Sequence, residues 1–152
     1  MERQTAGFTL LELMIVLALV AFLSMIAVPN FMRFFAKAKR TEAYTQLRAL
    51  YIAEKAYHAE HDTYTTNLSG PDSIGWKADG QLQYTYGFHR GSVGKNHVIG
   101  ALKTPASALK GTYADGKGFK IAAAGDIDGD GQADLLTIDH DGNLKIERDD
   151  LD

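Results

Sequence analysis

Four aspartates near the C-terminal end of this 152-residue chain have a spacing that could bind a hard metal ion. Acids occupy positions 1, 3, 5 and 9 of the segment 126–134: Asp126, Asp128, Asp130 and Asp134. The main-chain carbonyl of Gln132 stands at position 7. Calcium takes about six to eight oxygen ligands, and alternate acids in a loop with turn-forming glycines can supply them. The segment 126–134, called the acidic loop below, therefore predicts a calcium site.

The acidic loop is not an EF-hand. An EF-hand has a bidentate glutamate at position 12, but this chain has Thr137 there, and Ala133 to Ile138 has the composition of a strand. The loop resembles the hairpin calcium loop of integrin-type and related β-propeller repeats. A second interpretation is an acidic turn held by Asx hydrogen bonds without metal. Mutual repulsion of the clustered acids favours the bound cation.

A single acid, Glu12, interrupts a long apolar run near the N-terminus. It is the only formally charged side chain from Phe8 to Phe31. A helix crosses a bilayer core with about 20 apolar residues, so residues 8–31 are predicted to be a membrane helix. A carboxylate in hydrocarbon costs a few kcal/mol, and Glu12 therefore needs a positive partner.

The remaining side chains do not indicate an enzyme. His58 and His61 are three apart, which could suit zinc, but no third ligand is apparent and solvated histidines are commoner. No nucleophile elbow or glycine-rich phosphate loop occurs. The chain has no cysteine, which excludes a thiol nucleophile and a disulfide. Its net charge of −3 gives no general attraction to nucleic acid.

One long helix must position the N-terminal residues. Beyond Pro29 the apolar residues fall at three- and four-residue spacings, which indicates one buried helix face: Ala43, Leu47, Leu50, Ala53 and Tyr57. The pattern fades near His61, so a nearly continuous helix is predicted over residues 8–61. Such a helix, about 80 Å long, is longer than a small domain and must be covered by copies of itself.

The rest of the chain predicts a small antiparallel sheet. Glycine, proline, asparagine and serine mark residues 62–80 as a loop. Four or five strands are predicted in residues 81–152, from alternating or apolar runs: Leu82–Phe88, His97–Leu102, Phe119–Ala123, Leu135–Ile138 and Leu144–Ile146. A helix followed by such strands predicts an α+β fold, with the C-terminal half of the helix packed on the sheet.

The N-terminal features together resemble the class III signal of type IV pilins and pseudopilins. They are a polar leader over residues 1–7 that ends in Gly7, then Phe8, Glu12 and Pro29. The resemblance implies that a prepilin peptidase cleaves after Gly7 and methylates the new N-terminus at Phe8. It also implies that Glu12 pairs with the positive N-terminus of a neighbouring subunit, and that the helix loosens before Pro29 in filaments.

The expected function is that of a major type IVa-like pilin. A single-pass precursor in the inner membrane would be polymerised by an assembly platform and motor into a surface pilus for twitching motility, adhesion or DNA uptake. Calcium in the acidic loop would replace the disulfide of many relatives. One alternative is a type II secretion pseudopilin, although its proline-rich segment after the helix is not found. The other is a membrane-anchored, calcium-dependent binding module, which would form no polymer.

Overall fold

A computed structural model describes residues 7–78 and 80–151 of the chain. These residues contain one long helix, α1 (Leu10–His61), followed by six strands and a short 3-10 helix (Ala106–Leu109). The strands are β1 (Thr85–Gly87), β2 (His97–Val98), β3 (Tyr113–Ala114), β4 (Phe119–Gly125), β5 (Asp134–Asp139) and β6 (Leu144–Arg148). They form one antiparallel sheet in the order β2-β1-β4-β5-β6, with β3 also paired to β4. The predicted α+β fold is confirmed.

Local hydrogen bonds explain where α1 begins and ends. The hydroxyl of Thr9 accepts the main-chain N–H of Glu12 at 3.2 Å, which is the geometry of an N-cap. At the other end, Asp62 adopts a left-handed φ of 57° and donates its N–H to the His58 carbonyl at 2.9 Å. This conformation stops the helix after one last turn. Pro29 lies inside α1, which continues on both sides of it.

The chain divides into two compact units, Met1–Phe35 and Ala36–Asp152. In the second unit α1 buries one face at three- and four-residue spacings: Ala36, Arg40, Ala43, Leu47, Leu50 and Glu54. The apolar members of that face share a core with large side chains of the sheet and its loops, among them Tyr84, Tyr86, Phe88, Phe119, Ile121 and Ile138. The buried face predicted at Ala43, Leu47 and Leu50 is confirmed. Further along the helix the structure differs from the prediction, because Glu54 is buried whereas Ala53 and Tyr57 are only partly buried.

The first two strands are shorter than their sequence pattern predicted. The alternation over Leu82–Phe88 contains only the three-residue β1, and the run over His97–Leu102 contains only the two-residue β2. Beyond these strands the two segments remain hydrogen-bonded, since the Ala101 N–H donates to the Leu82 carbonyl at 2.8 Å. The pairing is too irregular there to continue the ladder. The two-residue β3 and the 3-10 helix were not predicted, because neither is long enough to show a periodic pattern.

Candidate functional site

The first candidate site is the apolar surface of the unit Met1–Phe35. Every residue from Gly7 to Phe35 is exposed in the single chain. By length and composition, α1 could cross a membrane. Exposed apolar surface costs about 25 cal/mol per Å² in water, so a surface this continuous requires a bilayer or other apolar helices to cover it.

Glu12 lies in the first turn of this helix. The segment Thr9-Leu10-Leu11-Glu12 matches the capping-box pattern, and the Thr9 hydroxyl makes one of its hydrogen bonds. Glu12 is exposed, and its carboxylate has no ion-pair partner among the residues that the structure describes. The predicted leader, apart from Gly7, lies outside those residues. The acid is therefore available to a partner from outside the chain.

The second candidate site is the acidic loop, which forms the turn between β4 and β5. The two strands pair up to Gly125 and Asp134, the residues that flank the turn. Gly129 and Gly131 have φ values of 88° and 90°, which glycine adopts without strain. Their N–H groups donate to the two carboxylate oxygens of Asp126, at 2.7 and 3.0 Å. The glycines thus let the turn wrap around the first aspartate.

Further main-chain hydrogen bonds orient the next two aspartates. Asp128 and Asp130 each accept the N–H of the residue two positions later, at 3.1 and 2.7 Å. The Gln132 side-chain amide also donates to Asp130, at 3.3 Å. One carboxylate oxygen from each of Asp126, Asp128 and Asp130 lies within 4.8 Å of the others and of one from Asp150. These four residues are called the acidic cluster below.

Asp134, predicted as the fourth carboxylate ligand, lies outside the acidic cluster. Its two oxygens accept hydrogen bonds from Nε and Nη2 of Arg40, each at 2.9 Å, and the Tyr84 hydroxyl donates to it at 2.7 Å. Asp134 has no exposed surface, and a buried carboxylate needs such pairing. The structure therefore differs from the prediction, because a guanidinium 94 residues away in sequence neutralises this acid.

Arg40 binds a second carboxylate, that of Asp149 just after β6. Both terminal nitrogens of the guanidinium donate to it. Burial alone would lower the pKa of Arg40, but the two carboxylates more than offset this and raise it. The hydrogen bond from Arg40 likewise lowers the pKa of Asp149. Arg40 therefore ties α1 to both β5 and the C-terminal segment.

Asp150, two residues after β6, is the fourth member of the acidic cluster. Asp150 is 8% exposed, and its Oδ2 accepts the Ile127 N–H at 2.9 Å. Within the described part of the chain its Oδ1 has no hydrogen-bond partner. Burial raises the pKa of Asp150, and the other three carboxylates raise it further. The spacing within residues 126–134 gave no sign of this residue, which lies 16 positions beyond Asp134.

The two helix-end histidines each stack on a tyrosine. The ring centroid of His58 is 4.3 Å from that of Tyr64, and the centroid of His61 is 4.0 Å from that of Tyr57. In residues 7–78 and 80–151, the acidic cluster is the only group of three or more His, Asp or Glu side chains close enough to share a metal ion.

Comparison with known proteins gives matches for both units. Residues 3–28 match the family model of the prokaryotic N-terminal methylation motif. The chain is 36% identical over 122 residues to the type IV major pilin protein PilA of Myxococcus xanthus, covering 80% of this chain and 54% of that protein. It is 32% identical over 76 residues to the type IV wide pilus major component PilA4 of Thermus thermophilus, covering 50% of this chain and 58% of that protein.

A third relative comes from protein secretion. The chain is 34% identical over 73 residues to the type II secretion system core protein G of Aeromonas hydrophila, covering 48% of this chain and 51% of that protein. The matches thus span little more than half the length of these relatives. The methylation motif and the similarity to two type IV pilins and to a type II secretion protein confirm the predicted resemblance to type IV pilins and pseudopilins.

Proposed function

We propose that the mature chain is the major structural subunit of a type IV pilus, polymerised through its apolar helix. The observation that carries the proposal is the exposed apolar surface from Gly7 to Phe35, which contains a single acid, Glu12. Copies of the same helix can cover this surface after the chain leaves the membrane. The acid then specifies how neighbouring helices are staggered.

The proposed assembly begins with processing. A prepilin peptidase cleaves after Gly7 and leaves a methylated, positively charged amine on Phe8. In the filament this amine lies beside Glu12 of the next subunit, and the pairing offsets the cost of burying either charge. The precursor is a single-pass protein of the inner membrane, and an assembly platform and motor transfer it into a surface pilus that serves adhesion, twitching motility or DNA uptake.

The alternatives to this function are a pseudopilin and a membrane-anchored binding module. A pseudopilin is supported by the similarity to core protein G, but that match covers 48% of the chain, whereas the match to the Myxococcus pilin covers 80%. A match of 122 residues must extend beyond the helix, which ends at His61, into the sheet region, and this favours the pilus. A membrane-anchored binding module would use the acidic cluster and leave the apolar helix in the bilayer as a monomer.

The test compares filaments sheared from cells that produce the wild-type chain, Glu12→Gln or Thr9→Ala. Glutamine keeps the capping-box pattern but removes the charge, whereas Thr9→Ala removes the cap hydrogen bond and keeps the charge. Glu12→Gln should leave the protein in the membrane and reduce filament yield at least about tenfold, since leaving a buried charge unpaired costs about 3–5 kcal/mol. Thr9→Ala should assemble nearly normally.

The same filaments should carry this polypeptide along their length, with subunits that begin at methylated Phe8 in mass spectrometry. Wild-type yield of Glu12→Gln would contradict the charge-pairing mechanism. Assembled subunits that still begin at Met1 would contradict the processing. Short filaments that form only with a secretion system present would favour the pseudopilin, and a processed chain that never leaves the membrane would favour the binding module.

A further inference from the structure

The acids around the acidic loop differ in whether a cation neutralises them. Arg40 of α1 binds both Asp134 and Asp149. The four members of the acidic cluster have no ion-pair partner among the described residues. A nearby base, Lys39, donates to the Ile127 carbonyl at 3.1 Å rather than to a carboxylate.

Asp150 makes this cluster more than an exposed acidic turn. Asp126, Asp128 and Asp130 are wholly or partly exposed, so water could solvate them. Asp150 is 8% exposed, and its Oδ1 is buried without a hydrogen-bond partner in the described residues. A buried carboxylate that has an oxygen without a partner and lies close to three other carboxylates is costly unless a cation sits among them.

The geometry suits a large, hard cation. One oxygen from each of the four carboxylates lies within 4.8 Å of the rest. Oxygens on opposite sides of a calcium ion, each at about 2.4 Å, are about 4.8 Å apart, whereas magnesium needs about 2.1 Å and tight octahedral geometry. Main-chain carbonyls of the loop and water can complete a calcium shell of about six to eight oxygens.

We propose that Asp126, Asp128, Asp130 and Asp150 bind one calcium ion, with Asp150 in the place that the loop spacing assigns to Asp134. The ion links the β4–β5 turn to the segment after β6. It therefore closes the C-terminal end of a chain that has no cysteine for a disulfide. Asp134 is not a ligand in this proposal: its carboxylate holds Arg40 of α1 and accepts the Asp150 N–H at 3.4 Å.

The test uses the full chain in mild detergent, stripped with a chelator and then given calcium or magnesium alone. Isothermal titration should detect one calcium per chain and weaker or no binding of magnesium. At about a hundredfold excess over the dissociation constant, calcium should raise the melting temperature on the order of 10 °C. The fluorescence of Trp76, the single tryptophan, reports the transition from within the core.

Three variants separate the two possible ligand sets. Asp150→Asn should abolish the calcium-dependent shift without lowering the calcium-free melting temperature, because it removes one of four repelling charges. Asp134→Asn should lower the melting temperature with and without calcium and keep the shift. Asp141→Asn, in the exposed turn between β5 and β6, is the matched control and should change neither value.

Each contrary result overturns a definite part of the proposal. A calcium shift retained in Asp150→Asn would remove that residue from the ligand set. Loss of calcium binding in a folded Asp134→Asn chain, with retention in Asp150→Asn, would restore the set that the spacing predicts. Identical melting of the wild-type chain in calcium and in chelator, with no heat of binding, would reduce the loop to an Asx turn.

Discussion

At the scale of single residues, Glu54 is a buried acid that forms no ion pair with any described residue. It lies on the helix face that packs on the sheet and has no exposed surface. Its Oε2 accepts the Thr65 N–H at 3.3 Å, while Oε1 has no hydrogen-bond partner in the described residues. Burial raises the pKa of Glu54 to about 7, although the hydrogen bond from Thr65 lowers it. Arg40 on the same face is neutralised by two carboxylates, whereas the charge of Glu54 meets only the Thr65 N–H among the described residues and is removed by protonation.

The wild-type chain should therefore lose stability as the pH rises and Glu54 ionises. Glu54→Gln should remove this loss. Below an ordinary glutamate pKa of about 4.5, the folded and unfolded chains both hold the proton. Between about pH 4.5 and 7 the unfolded chain releases its proton first, so the free energy of unfolding falls as the pH rises, by at most about 3 kcal/mol. Above that range the loss is complete. The glutamine variant should gain stability over wild type at about pH 8 but not below about pH 4.5.

The measurement is guanidinium unfolding of the full chain in detergent, followed by Trp76 fluorescence across this pH range. The difference between variant and wild type isolates Glu54 from the other acids, among which the pKa of Asp149 is lowered and that of Asp150 is raised. Glu60→Gln, an exposed position on the same helix, is the control and should show no pH-dependent difference. A Glu54→Gln chain whose stability parallels wild type at every pH would show that the buried carboxylate costs nothing.

At the scale of elements, α1 packs on the sheet through one narrow stripe. Leu47 and Leu50 have no exposed surface and lie in the same core as Phe119 and Ile138. Ile52, two residues further along, is 66% exposed. Helix geometry produces this contrast, since residues two apart lie on different faces of a helix and residues three or four apart share one. The sheet thus binds a specific side of the helix.

Leu50→Ala should lower the free energy of unfolding by about 3 kcal/mol. The substitution removes buried apolar atoms and leaves a cavity that the core cannot fully close. Ile52→Ala should change it by no more than about 0.5 kcal/mol. Both values come from denaturant titration with the Trp76 signal. Equal destabilisation by the two substitutions would show that the helix does not pack through the stripe described here.

At the scale of the whole molecule, the exposed apolar surface and the buried core belong to different parts of the chain. Every residue of the two buried core clusters lies at or beyond Ala36. Every described residue before Ala36 is exposed. The second unit, Ala36–Asp152, therefore has a complete core of its own. The first unit depends on a membrane or on other subunits.

A shortened chain that starts at Ala36 should fold without detergent and unfold cooperatively at nearly the denaturant midpoint of the full chain. A chain that starts at Thr41 is the matched control, because it also lacks Arg40. It should be less stable by about 3 kcal/mol, since Asp134 is then buried without its cation. Size-exclusion chromatography and guanidinium titration distinguish the two. Aggregation of the Ala36 chain would mean that the first unit contributes to the core.

The sequence alone determined the features that depend on neighbours along the chain. The apolar run with Glu12, the helical stripe through Leu47 and Leu50 and the turn geometry of the acidic loop all follow from local spacing, because helix and turn bonds join residues a few positions apart. Together with the predicted strands and the leader that ends at Gly7, these features were sufficient to predict the α+β fold and the pilin resemblance.

Only the tertiary structure decided which distant residues meet. The spacing of residues along the sequence could not show that Arg40 forms an ion pair with Asp134. The two are 94 residues apart and meet because α1 packs on β5. Nor could the spacing place Asp150 beside the acidic loop. That contact depends on the β5–β6 pairing, whose register shifts between Leu135 and Leu136, and a bulge of this kind changes the direction in which the following segment leaves the sheet. The residue types and their local spacing identify the candidate ligands. Strand register and helix packing determine which of them lie close together.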